Sequence, residues 1–347
     1  MKIANPERIL VRLPTWVGDV VMATPALRAL ATAHPQATIV CEGRGVLHDL
    51  VVGLPGVTGF LPEPGKRMRD LRARVRSIAA GRFDWAVVLP DSHRAAAGPF
   101  LARVPVRAGY AFDFGRKVML TDWLGAEMEN GKRRPISMIE RYLMVTRLVN
   151  CPDDGDQLAV PLTEPIRARL RASLKAAGLE PGAPYLSVVP GAAFGASKLW
   201  PIEFYARAAT ELHAQHGLPL VMAPGPGEEP IAQAIRDAMD TPVYVLEPIH
   251  DAGLLHVAAM IEGSSLCLSN DTGPRHFAVA AGVPVVVMIG PTDSRTTDHQ
   301  LERQRVLRED VDCSPCLLKV CPIDHRCMIQ LSPDRVISAA NELLAAR

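Results

Sequence analysis

The sequence predicts an α/β protein made of two doubly wound parallel-sheet domains in tandem, and three observations predict it. Short apolar runs alternate with stretches of helical periodicity along the 347 residues. Nearly every apolar run ends in Pro, Gly, Asn or Asp and feeds a helix, the βα alternation of a parallel sheet covered on both faces. A single loop-like stretch, NCPDDGDQLAVPLTEP, interrupts this pattern near residues 150–165, after which the pattern restarts. The domains are therefore expected at residues 1–160 and 161–347. Ligands of such sheets bind outside the carboxyl ends of the strands, so a cleft between two facing sheets is the expected place for chemistry.

In the first half the strand-like runs are ILVRLP, ATIVCEG and WAVVLPD. Between the last two lies KRMRDLRARVRSIAAG at 66–81. Its Met68, Leu71, Val75 and Ile78 recur at helical spacing and leave the arginines on the other face. A longer helix is expected at 136–149. In the second half the runs YLSVVPG, PLVMAPG, VYVLE, SLCLSND and VPVVVMIGPTD read as strands, with helices between them at 202–215 and 231–239. No repeat of 20–50 residues and no low-complexity tract interrupts them.

Composition narrows the function classes. With 48% hydrophobic and 22% charged residues the chain is globular. Its longest apolar run, VPVVVMIG, is far too short to span a bilayer, and the N-terminal MKIANPERILVRLP lacks a signal-peptide pattern, so a cytoplasmic location is expected. The net charge of +1 hides an asymmetry: residues 1–150 carry 22 Lys and Arg against 13 Asp and Glu, net +9, and the remainder 16 against 24, net −8. The first half either faces something anionic or is a solvated, Arg-rich surface. Aromatics are only 5% and form no basic–aromatic platform, which disfavours nucleic acid. No G-x-G-x-x-G follows a strand, which disfavours a nicotinamide dehydrogenase.

Four stretches carry candidate chemistry. In LPTWVGDVVMATPAL a strand hands over to a helix through Gly18 and Asp19. Asp19 is either the N-cap of a helix starting at Val20 or a functional carboxylate at the mouth of the sheet. Pro25 means that the helix begins at Asp19 and kinks, or begins at Thr24. In SNDTGPRHF a strand ends at Asn270-Asp271-Thr272-Gly273 and a helix starts, with Pro274 suited to its first turn. Free N–H groups there favour phosphate oxygens, and Gly273 permits close approach. Asp271 repels an anion, so a sugar hydroxyl or a partner cation explains it better. His276 could aim at the same anion, or be a structural histidine. In VVPGAAFGASKLWP a small-residue loop runs from Gly191 to Lys198, a candidate phosphate contact that lacks Walker A spacing. In APGPGEEP, Glu228 could hold ribose hydroxyls, with Glu229 its rival; acids opening a helix are the plainer explanation. The tail has Cys313-x2-Cys316-x4-Cys321-x5-Cys327 with His325 nearby. One C-x2-C pair suits a metal knuckle, but the second spacing departs from a standard four-Cys zinc site, so packed thiols compete with a structural zinc.

Taken together, WVGDVVMATPALRAL, PGAAFGASKLWP and NDTGPRHFAVAAGVPVVVMIGPTD resemble the ADP-heptose:lipopolysaccharide heptosyltransferases of glycosyltransferase family 9, in their type II branch. The tail pattern CSPC…CP…H.CM, here within CSPCLLKVCPIDHRCM, also recurs there. The resemblance runs in order over nearly the whole chain. It implies a GT-B architecture of two Rossmann-like domains, acceptor on the first and donor nucleotide on the second. The implied reaction is an inverting, metal-independent transfer of L-glycero-D-manno-heptose from ADP-heptose to the first heptose of the lipopolysaccharide inner core. Its general base would be Asp19 of the Gly18-Asp19 pair and its phosphate-contacting lysine Lys198. The donor-binding set would be Gly18, Gly191, Lys198, Glu228, Asp271, Thr272, Gly273 and His276, of which Asp271, Thr272, Gly273 and His276 match a D-T/S-G-x-x-H motif. Two positions depart from the family: Leu199 where an Arg is usual, and Arg275 where Met or Ser is commoner. A lipid A-core acceptor implies peripheral attachment to an anionic membrane surface through Arg-rich segments such as 66–82, weakened by salt. Alternatives on the same architecture are a transferase of another nucleotide sugar, a nucleotide-sugar 2-epimerase that needs no acceptor, and a sugar-nucleotide sensor that turns nothing over.

Overall fold

The computed structural model describes residues 4–65, 67–129, 131–247 and 253–346. It divides into two compact units, Met1–Pro161 and Leu162–Arg347. The first contains β1 (Arg8–Arg12), α1 (Val17–Met22), α2 (Thr24–Ala33), β2 (Thr38–Gly43), α3 (His48–Val51), β3 (Val57–Pro62), α4 (Met68–Ala80), β4 (Trp85–Val88), α5 (His93–Leu101), β5 (Val106–Tyr110), α6 (Phe114–Met119), β6 (Asp122–Leu124), a small antiparallel hairpin of β7 (Met128–Glu129) and β8 (Lys132–Arg133), and α7 (Met138–Arg147). Its six-stranded sheet has the order β3-β2-β1-β4-β5-β6, and every pairing is parallel. β4 reads WAVV and is buried at all four positions, as a strand covered on both faces must be.

The second unit repeats the plan. It contains α8 (Glu164–Ala176), β9 (Leu186–Val189), α9 (Ile202–His216), β10 (Leu220–Met222), α10 (Glu229–Asp237), β11 (Val243–Val245), α11 (Gly253–Glu262), β12 (Leu266–Asn270), α12 (Arg275–Ala281), β13 (Val285–Ile289), β14 (Gln304–Arg308), α13 (Arg326–Ile329) and α14 (Pro333–Ala345). The order β11-β10-β9-β12-β13-β14 is again all parallel. In each sheet the first strand in sequence lies between the second and the fourth. The winding therefore reverses at β1/β4 and at β9/β12, the topological switch points where α/β sheets bind ligands. A core centred on Leu186, Val188, Leu266, Leu268, Val286 and Met288 packs under Trp200, Tyr205 and Leu212 on one face.

Several sequence expectations are corrected by the local physics. At Pro25 the chain uses a broken helix: α1 ends at Met22, and α2 restarts at Thr24 with Pro25 in its first turn, where a missing N–H costs nothing. Asp19 is not a cap. Trp16 holds the N-cap position without a side-chain bond, and Asp19 is the third residue of α1. The helix expected at 231–239 starts earlier, at Glu229, because Pro230 fits its first turn. Pro274 is the N-cap residue of α12 rather than part of its first turn. Arg74, placed by periodicity on the solvated face of α4, is buried. It donates to both carboxylate oxygens of Glu42, itself fully buried, and to the carbonyls of Arg94 and Ala95 at 2.6 and 3.0 Å. Arg12 joins this cluster, donating to Glu63 at 2.6 Å. Lys66 and the side chain of Met68, part of the expected stripe, lie outside what is described.

Candidate active site

The second unit's switch point brings together residues far apart in the chain. Lys198 follows β9 and Asp271 follows β12, and these two strands are neighbours. The Lys198 ammonium donates to the Asp271 carboxylate at 2.6 Å and to its backbone carbonyl at 2.7 Å. Asp271 also accepts from the Thr292 hydroxyl at 2.6 Å and pairs with the Arg275 guanidinium at 3.2 Å. Burial pushes the Asp271 carboxyl up, but Arg275 and Lys198 outweigh it and hold the group far below the usual carboxylate range. Of the two explanations that the sequence left open for Asp271, a sugar hydroxyl or a partner cation, the cation is present twice. Arg275 is wholly buried, donates to the Thr297 carbonyl at 2.7 Å, and keeps a buried Nε without a hydrogen-bond partner.

His276 is buried beside this group. Burial, and then the positive charge of Arg275, push its imidazole well down, with Asp271 pulling the other way, so it is neutral at physiological pH. It can orient or donate to a ligand but brings no charge. Thr272 and Gly273 are half-buried at the turn between β12 and α12. Asn270 fastens the two loops: its side chain donates to the Pro190 carbonyl at 2.5 Å and accepts from the Trp200 N–H at 3.2 Å.

Between Glu228 and Glu229 the structure distinguishes sharply. Glu229 is exposed, whereas Glu228 is half-buried and turns inward. Its carboxylate accepts from the Gly225 N–H at 3.1 Å. It also lies where a Cβ on Gly191 would be, 1.8 Å from that ideal position. Gly191 is therefore needed for room, and Glu228 is placed against the loop that leads to Lys198.

The Cys-rich segment braces the same loops. Residues 309–325 contain no helix or strand. The Ser197 N–H donates to the Lys319 carbonyl at 3.1 Å, the Ser197 hydroxyl to the Leu318 carbonyl, and His325 Nε2 lies 2.8 Å from the Ser197 carbonyl. Gly195, at φ 153°, lets the Lys319 carbonyl pack where a side chain would stand. On the other side Ser314 donates to the Gly290 carbonyl at 2.6 Å. The loops carrying Lys198 and Thr292 are thus held by one strap. Cys327 is buried against Gly290, Cys313 and Cys321 are half-buried, and Cys316 is exposed. Among the described residues no group of three or more His, Cys, Asp or Glu is arranged to hold a metal ion. Cys313, Cys316 and Cys321 lie close enough to Cys327 to raise its thiol further after burial has done so.

In the first unit, Asp19 and the buried Gly18 sit in the first turn of α1, directly beyond the carboxyl end of β1. Asp19 is half-buried. Its negative charge, after burial, helps push the phenol of Tyr142 on α7 well up, so Tyr142 stays protonated. Beside them Asp91, after β4, accepts from Arg141 at 2.9 Å and Arg133 at 3.3 Å. Periodicity could not single out Tyr142, Arg141 or Asp91, since each sits in an ordinary helix or strand-end context. Thr292 and Asn270 were likewise invisible as partners until the strands were paired.

Comparison with known proteins agrees with these features. Residues 71–326 match the family described as glycosyltransferase family 9 (heptosyltransferase). Lipooligosaccharide heptosyltransferase 2 of Haemophilus influenzae is 27% identical over 353 residues, covering 97% of this chain and 99% of its own. Lipopolysaccharide heptosyltransferase 2 of Escherichia coli is 27% identical over 352 residues, covering 97% and 98%. The solved structure of E. coli ADP-heptose lps heptosyltransferase II superposes with a TM-score of 0.79 at 25% identity, covering 98% of this chain and 99% of that one. With two parallel six-stranded sheets of the GT-B class and this match over most of its length, the chain belongs to glycosyltransferase family 9, the heptosyltransferases.

Proposed function

We propose that the protein transfers L-glycero-D-manno-heptose, with inversion and without a catalytic metal, from ADP-heptose to the first heptose of the lipopolysaccharide inner core. The observation that carries the reading is the Lys198–Asp271 pair at the β9/β12 switch point, backed by Arg275 and Thr292. It is an ammonium, already gathered and half-neutralised, at the place where a doubly wound sheet receives a nucleotide. The names of the relatives add the donor sugar and the acceptor class.

In this mechanism Lys198 and the N–H groups at Thr272-Gly273 stabilise the charge that grows on the departing ADP. Glu228 accepts from the ribose hydroxyls. Asp19 accepts the proton of the acceptor hydroxyl as that oxygen attacks the anomeric carbon from the face opposite ADP. The hydroxyl becomes acidic as the new bond forms, so a carboxylate can take its proton; such base catalysis contributes about 10²–10⁴-fold. No step calls on a metal. The protein would work at the inner face of the cytoplasmic membrane, where a lipid-borne acceptor is presented; no helix among the described residues is long and apolar enough to cross a membrane.

The test is incubation with a panel of nucleotide sugars and lipid A-core acceptors of defined length, read by mass spectrometry. A single heptose added from ADP-heptose to an acceptor that already carries one heptose is the expected product. Transfer of another sugar would correct the donor. Nucleotide release without an acceptor product would favour the epimerase reading, and binding without turnover the sensor.

A further inference from the structure

The outer edge of the first sheet exposes large apolar side chains in one place. Phe114 is 80% exposed, Val118 51% and Trp123 42%. Phe114 and Val118 are four residues apart, so they share a face of α6. Lys117 ties that face to the adjoining strand β6, its ammonium standing 4.3 Å from the centre of the Trp123 ring. Among the described residues β6 pairs with β5 alone.

This face is held rigidly. The side chain of Arg116, on the opposite side of α6, is fully buried and donates to the carbonyls of Tyr110, Ser92 and Pro90. Asp113 caps the helix, accepting from the Arg116 N–H at 2.9 Å. A helix anchored so firmly, with its apolar side chains turned to solvent, presents them for contact. Aromatic and aliphatic groups interleaved with lysine are the composition of an interfacial membrane contact, where rings lie at headgroup depth and ammonium groups reach the phosphates. Exposed Arg103 and Arg133 lie in the flanking segments, and residues 1–150 carry net +9. Of the acids nearby, Asp113 meets His93 at 2.9 Å, Glu127 pairs with Arg134 at 2.9 Å, and Asp122 accepts from the Thr121 hydroxyl at 2.9 Å, while Glu129 is exposed. The exposed Lys117, set directly among Phe114, Val118 and Trp123, is the charge this apolar face offers, and an anionic bilayer complements it.

We propose that the α6–β6 edge of the first unit, rather than the arginine face of α4, seats the protein on an anionic bilayer. The inference rests on the membrane-borne acceptor of the proposed function and adds which surface meets the lipid. The test is sedimentation of the full chain with vesicles of phosphatidylcholine alone and with phosphatidylglycerol added. The expected result is binding to the anionic vesicles that salt weakens but does not abolish, because part of the contact is apolar. Phe114→Glu with Val118→Glu should reduce that binding at least tenfold with an unchanged thermal midpoint, since both side chains are exposed. Arg69→Ser, Arg72→Ser and Arg76→Ser together should reduce it less than threefold. The double variant should keep wild-type turnover on a deacylated, water-soluble acceptor and lose it on acceptor embedded in vesicles. Failure of the soluble reaction in the wild type would strike the proposed function alone. Equal vesicle binding by wild type and double variant, loss confined to the α4 variant, or a wild-type dimer that the double variant splits would each overturn the inference.

Discussion

A carboxylate beside a diphosphate is a repulsive arrangement, and the way Asp271 is held resolves it. Two cations and a hydroxyl meet it, so the cluster Lys198–Asp271–Arg275 carries net positive charge before any ligand arrives. If Lys198 turns from Asp271 to a phosphate, Arg275, buried and immobile, keeps Asp271 ionised. Lys198→Ala should therefore weaken donor binding by roughly tenfold to a hundredfold, the value of one charge-assisted hydrogen bond. Arg275→Met should raise the donor KM, because Lys198 alone must then answer the Asp271 charge; an unchanged KM would remove Arg275 from this role. Asp19→Asn tests the other end of the reaction. Transfer should fall by at least about 10²-fold, while ADP affinity, read by calorimetry, stays within twofold. Substantial surviving turnover would rule Asp19 out as the base.

The elements that matter most are the loops that leave the strands. Gly191 and Glu228 belong to different loops, yet one dictates the other, because the Glu228 carboxylate fills the space beside Gly191. Gly191→Ala should displace that carboxylate and raise the donor KM severalfold, with a thermal midpoint within about 2 °C of wild type, since the conflict is with the end of a flexible side chain. A fall in stability with unchanged KM would mean that Glu228 only packs. The Cys-rich strap works at the same scale. Its ordered turns hold Ser197, next to Lys198, from one side and Gly290, close to Thr292, from the other.

At the scale of the molecule, buried polar groups set the pH range of the fold. His276 and His256 are both buried in the second unit, and burial lowers both. Both folded imidazoles take up a proton at lower pH than the unfolded chain does, near 6.5. Their contribution is therefore full above that pH and is progressively lost as the pH falls below it. The thermal midpoint should drop between pH 7.5 and 5.5, and His256→Leu should flatten that slope, since neither ring nitrogen of His256 has a partner to lose. In the first unit, Arg74→Ala would leave Glu42 fully buried with a weaker partner, Arg12 at 3.9 Å. A loss of about 3–5 kcal/mol is expected, measured by denaturant unfolding.

The sequence by itself determined the class of fold, the place of the central strands and the motif positions. Runs such as WAVV and VVVMI are buried on both faces and so announce themselves, and Asp19, Lys198 and Asp271 each follow a strand end. β3, β6 and β14 do not read as strands from sequence, because they are edge strands of partial burial that blurs the apolar signal, and β5 does not because Arg107, Ala108 and Gly109 leave no apolar run in a strand that is otherwise buried. Only the tertiary structure decided what each charged group faces. It turned Arg74 inward to Glu42, made Arg275 a partner of Asp271, and chose Glu228 over Glu229. The physical reason is range: periodicity reports burial over one or two helical turns, whereas Glu42 lies 32 residues from Arg74 and Asp271 lies 73 from Lys198, and strand order brings each pair into contact.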